Sequence, residues 1–237
     1  EIGKLTHDAG VAVQMNYNAD NSGMSGAFAY NLRGALIDSF GYKSATYFND
    51  QYGMIYGKND PEEFDDVRAE ALQRSIYANL DAGLPVLVGI TGHQVVADGY
   101  GYSKDGLDYV HLNMGWAGSS DYWFLMPVIS YRGGGEGVVD PEGTMFFQDV
   151  TYNILTSGES SGAVLSGRAI GYDGLPVSGA SVSLVRRGGA SEAVTITTSE
   201  TGVWGAVVPA GTYDITVETL EQSGTLESIS VKVPTTV

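Results

Sequence analysis

The feature that most constrains the fold is residues 92–116, GHQVVADGYGYSKDGLDYVHLNMGW. It reads as a strand starting at His93, an exposed Ser-Lys-Asp-Gly turn, and a second strand closing on Asn113 and Trp116. Just ahead of it, LPVLVGI (84–90) is a continuous apolar run fit for burial on both faces.

The flanking pattern supplies helices. EIGKLTHDA spaces Ile2, Leu5 and Ala9 on one face, with Gly10 as the expected stop and no capping residue before it. Residues 1–9 therefore read as the later turns of a helix that starts upstream, in a longer protein. VAVQMNY (11–17) reads as a short strand, and NADNSGMSGAF as a small-residue loop. Residues 28–40 carry Leu32, Leu36 and Phe40 at helical spacing. SATYFN (44–49) reads as a strand. Asp60-Pro61-Glu62-Glu63 is a helix start, running to about Ala82. DYWFLMPV and residues 143–155 add strands, and residues 131–143 form a glycine-rich loop. TSGESSG (156–162) is a polar linker. After it only short alternating runs follow: AVLSGRAI, ASVSLVRR, AVTITTS, GVWGAVV, TYDITVE and LESISVKV, the pattern of a β-sandwich.

Charge and composition exclude several classes. A net charge of −16 argues against nucleic acid or an anionic membrane as partner. No apolar run approaches the roughly 20 residues that span a bilayer. Three histidines among many acids raise a metal site, but His93 and Asp98 fall on opposite strand faces and no HExxH or DxDxDG spacing occurs. No metal or other cofactor is expected.

The chemistry lies in residues 92–116. A histidine on one strand, with an amide and an indole on its neighbour, is how thiol hydrolases hold their base. The sequence contains no cysteine. His111, two residues before Asn113, shares its strand face and reads as structural, and His7 as exposed.

Several motifs in fixed order make the reading specific: IGKLTHDAGVAVQMNYNADNSGMSG, LPVLVGITGHQVVADGYG, YVHLNMGWAGSSDYWFL and the loop RGGGEG. Together they resemble the streptopain-like cysteine peptidases of the C10 type, over about the first two-thirds of the chain. The resemblance implies an α+β, papain-like peptidase domain over residues 1–157, N-terminally incomplete. It implies His93 as general base, Asn113 as the holder of its far ring nitrogen, and Trp116 packed over that pair. It makes Ser22, Gly23, Ser25, Gly26, Gly92, Met114, Gly133, Gly134 and Gly135 candidates for bordering the substrate cleft. Met114 stands where the family often has a further tryptophan, which removes an indole N–H donor. The nucleophilic cysteine is expected upstream, so the chain alone should be inert.

Beyond the linker (158–162), SGRAIGYDGLPVSGASVSL and TSETGVWGAVVPAGTYDITVE resemble a carboxypeptidase regulatory-like or Cna B-type domain, an immunoglobulin-like sandwich over residues 163–237. A Lys–Asn cross-link does not fit, because Lys232 is the lone lysine there and no asparagine follows Asn153. The expectation is a secreted or cell-surface bacterial cysteine endopeptidase. Its partners would be a protein or peptide substrate and an upstream Cys-bearing segment or pro-peptide, with neither nucleic acid nor a membrane span involved. The alternatives are a catalytically inactive pseudopeptidase, or a surface-binding protein using the sandwich.

Overall fold

The computed structural model describes residues 1–18, 25–49, 56–57, 60–64, 66–90, 92–106, 108–125, 149–156, 162–188, 193–219 and 223–231. They form two compact units. One comprises Glu1–Ser75 and Pro85–Ser157; the other comprises Gly158–Thr235 together with Ile76–Leu84.

The first unit opens with α1 (Ile2–Ala12). This helix runs past Gly10, the expected stop; the Tyr17 hydroxyl occupies the space a side chain at residue 10 would need, so the glycine serves close packing there. The strand expected over 11–17 is reduced to one bridge between Asn16 and Gly26. α2 (Asn31–Gly34) passes directly into a π-helical turn, Ala35–Ser39, where Phe40 N donates to Ala35 O at 3.1 Å. The helix thus begins three residues later than its apolar spacing indicated, and the exposed Phe28 lies outside it.

Next come β1 (Ser44–Asn49), β2 (Tyr56–Gly57) and β3 (Asp60–Phe64). Residues 60–64 were expected to start a helix. Instead they pair antiparallel with β2, and α3 occupies Asp66–Asp81. A proline is tolerated in such a two-stranded ribbon because each strand has a free edge. β4 (Val86–Ile90), β5 (His93–Tyr102), β6 (Asp108–Asn113), β7 (Tyr122–Leu125) and β8 (Asp149–Leu155) complete an antiparallel sheet in the order β1-β8-β4-β5-β6-β7. β4 is central and nearly buried throughout, with Val86, Val88 and Ile90 on one face. Val95, Ala97, Val110, Leu112, Phe124 and Val150 join them in the core.

In the second unit all six expected runs are strands: β9 (Gly162–Arg168), β10 (Ser181–Arg186), β11 (Val194–Thr197), β12 (Val203–Pro209), β13 (Gly211–Glu218) and β14 (Ser223–Val231). They form sheets β11-β10-β13-β14 and β12-β9. Ala163, Trp204 and Val208 of the smaller sheet share one apolar core with Val182, Leu184, Tyr213 and Ile215 of the larger. Tyr213, buried in that core, donates its hydroxyl to Pro209 O at 2.8 Å.

The α+β papain-like class expected from the sequence is overturned. The described residues hold fourteen strands against three α-helices and a π turn, and every strand pairing is antiparallel. The physical reason is local. The two segments read as long helices yield shorter ones, part of the second becomes strand, and residues 162–231 contribute strands throughout.

Candidate active site

His93 is the first residue of β5, opposite Ile90 of β4, and is half-buried. Its Nε2 lies 2.8 Å from the carbonyl oxygen of Met114. A carbonyl can only accept, so Nε2 carries the proton and Nδ1 presents a lone pair. Among the described residues Nδ1 has no partner. The indole of Trp116 stacks on the imidazole, with ring centroids 4.7 Å apart and planes 14° from parallel.

A tight turn at the end of β6 makes this possible. Asn113 Oδ1 accepts from Gly115 N at 2.9 Å, an Asx-type turn. Gly115 sits at φ +75°, a region that disfavours side chains, and the chain reverses there to bring Trp116 over the ring. Asp121 Oδ1 accepts from Met114 N at 2.7 Å. The Met114 backbone is therefore tied on both sides, by Asp121 at its N–H and by His93 at its carbonyl.

Two expected contacts differ. The Asn113 amide was expected to hold the imidazole; it holds Gly115 N, and a main-chain carbonyl takes its place at the ring. Short-range capping within the turn satisfies Asn113 before it can reach across the strand. Met114 was expected at the cleft; its side chain is 2% exposed in the core and only its backbone serves His93.

A cleft of about 560 Å³ adjoins His93. Ser25, Gly26, Gly92 and His93 all line it, so the structure brings these candidates together. Ser22, Gly23, Gly133, Gly134 and Gly135 lie outside the described residues. Phe28 and Tyr30 form an exposed wall, stacked with centroids 5.3 Å apart.

Sequence reasoning missed Asp149. It is 7% exposed, lines the same cleft, and burial pushes its carboxyl up to about 6, partly offset by a hydrogen bond from Gln94. Asp149 on β8, Gly89 on β4 and Gln94 on β5 are register partners in one row across the sheet. Strands two apart are about 9.6 Å apart. Gln94 Nε2 nevertheless donates to Asp149 Oδ1 at 3.4 Å, because the carboxylate occupies the space a side chain at Gly89 would take. No sequence pattern announces a contact across 55 residues.

The remaining histidines lie elsewhere. His111 Nδ1 is 2.5 Å from Asp98 Oδ1, on the residue that bulges from β5, and its ring tilts against Trp123. His7 is exposed beside Asp8. Among the described residues no three His, Asp or Glu side chains gather closely enough to share a metal ion.

The model of the Peptidase C10 family matches residues 1–124. The chain belongs to the Peptidase C10 family. It is 30% identical over 140 residues to streptopain from Streptococcus pyogenes serotype M28 (strain MGAS6180), and equally to streptopain from Streptococcus pyogenes serotype M1. Each match covers 57% of this chain and 31% of the relative, so the chain spans about a third of the curated relatives it matches. No solved structure matches it. The family is thus one of cysteine-type peptidases, and the matched segment contains His93, Asn113 and Trp116.

Proposed function

We propose that residues 93–116 are the base half of a cysteine endopeptidase site, with the thiolate supplied by sequence outside these 237 residues. One observation carries the reading: an imidazole whose Nε2 proton goes to Met114 O, leaving Nδ1 as the base, under the face of Trp116. In this reading Nδ1 takes the proton of the thiol. The resulting imidazolium later returns a proton to the leaving amine of the cleaved peptide bond. Charging the ring strengthens its bond to the Met114 carbonyl. The indole face favours the cation by about 0.5–1 kcal/mol at a half-exposed site. Asn113 is a positioning residue of the turn. The peptide substrate lies along the cleft past Ser25, Gly26 and Gly92.

Family membership supports peptide-bond hydrolysis, and because these 237 residues hold no cysteine, this reading expects them to be inert by themselves. The peptidase-type domain is taken as residues 1–157. Residues 163–237, after the 158–162 linker, are read as an immunoglobulin-like module of the carboxypeptidase regulatory-like or Cna B-type, a stalk or substrate-presenting appendage. The two-sheet core and the Tyr213–Pro209 hydrogen bond support that reading. A secreted or cell-surface bacterial setting fits the glycine- and tyrosine-rich, acidic, cysteine-free composition.

The test is to titrate the full-length gene product with a thiol-alkylating peptide inhibitor and assay casein cleavage. Stoichiometric labelling with loss of cleavage is the expected result. No labelling and no cleavage would make the protein a pseudopeptidase.

A further inference from the structure

We propose that Asp149 is the specificity-determining residue of the cleft, its carboxylate pairing with the ammonium or guanidinium of a lysine or arginine side chain in the peptide substrate. The inference rests on the peptidase reading for the identity of the bound molecule, and names the class of peptide that it would take. Four observations converge on it.

The first is position. Asp149 and His93 line one cleft, so a peptide held for attack near the imidazole passes the carboxylate. The second is satisfaction. Asp149 is more than nine-tenths buried, yet among the described residues its hydrogen-bond partner is Gln94 alone, at a long 3.4 Å. Gln94 offers no positive charge, and a buried carboxylate without a counter-charge is costly. A ligand cation would supply what the described residues do not. The third is shape. Val13, Met15, Leu32 and the stacked Phe28–Tyr30 pair line the approach with apolar surface. Long basic side chains bury their methylene stems on such surface while the charged head reaches an acceptor. Aromatic faces also attract a guanidinium. The fourth is construction. Gly89 leaves the space into which the carboxylate folds, so the acid is held over the central strand with its second oxygen, Oδ2, unpartnered among the described residues. The raised carboxyl pKa, caused mainly by burial, agrees with a group that lacks a cationic neighbour.

The experiment has two arms. In the first, the full-length protein is assayed on matched fluorogenic peptides carrying lysine, arginine or norleucine at each position flanking the scissile bond. The expected result is a kcat/KM ratio of about tenfold or more in favour of a basic residue at one position. That ratio should collapse toward one in Asp149→Asn, a change that a merely structural role would not produce. Preference for norleucine, or an unchanged ratio in Asp149→Asn, would overturn the inference. In the second arm, N-acetyl-lysine methylamide and N-acetyl-norleucine methylamide are titrated into the full chain and followed by NMR. The lysine probe should perturb Asp149 and the norleucine probe should not, with the perturbation lost in Asp149→Asn. Equal binding of both probes, or of the lysine probe to both proteins, would overturn the inference even if no peptide is cleaved. Selective lysine binding without any cleavage would instead count against the peptidase reading while upholding the cationic pocket.

Discussion

His93 owes its tautomer to a backbone carbonyl, and that carbonyl owes its place to Asp121. The chain from Asp121 Oδ1 through Met114 N and O to His93 Nε2 contains one side chain that sequence reading did not single out. Asp121→Ala removes the acceptor of a part-buried N–H and should cost about 1–3 kcal/mol. Urea denaturation should detect the loss, and the His93–Trp116 stack should loosen, read as a shift in indole emission. An unchanged midpoint would refute the anchoring role. At Asp149 the sign of the pH dependence is fixed by burial. Its carboxyl is raised from 3.8 to about 6, so the folded protein holds the proton more tightly than the unfolded chain. Stability therefore falls as pH rises from about 4 to about 6, by at most about 3 kcal/mol, and levels off above that window. Asp149→Asn should flatten this part of the curve in pH-dependent denaturation. An identical slope in the variant would contradict it.

At the scale of elements, legibility followed periodicity. β5, β6 and the six strands from β9 to β14 were readable because alternating or continuous apolar runs lay between clear turn residues. The ends of helices were not. Gly10 stops nothing, since Tyr17 packs against it inside α1, and Pro61 opens no helix because β3 pairs with β2. Contacts with residues a few positions away in the chain outranked the punctuation at both places. In the candidate site, the spacing of Gly-His and Asn-x-Gly-Trp singled out His93 and Trp116, whose rings stack. The Met114 carbonyl and Asp149 were not, because a backbone acceptor leaves no mark in the sequence and Asp149 meets Gln94 only through sheet order. The turn closing β6 offers an element-scale prediction. Gly115→Ala places a Cβ at φ +75° and should cost about 1–2 kcal/mol. It should also move Trp116 off the ring. A thermal scan together with Trp116 emission checks both, and wild-type values in each would show that the turn tolerates a side chain.

At the scale of the whole molecule, strands dominate the described residues of both compact units, and the family assignment stands on residues 1–124 while the architecture departs from the α+β class first expected. The central proposal is that His93 is the base of a thiolate site completed by sequence beyond these 237 residues. The most direct measurement is the pH dependence of alkylation of the full-length protein by a small haloacetamide, compared with His93→Ala. A thiolate paired with His93 should react down to pH values well below the ordinary thiol pKa of about 8.5, and His93→Ala should return the profile to that ordinary thiol. A single transition near 8.5 in the unaltered protein, insensitive to His93→Ala, would contradict the account.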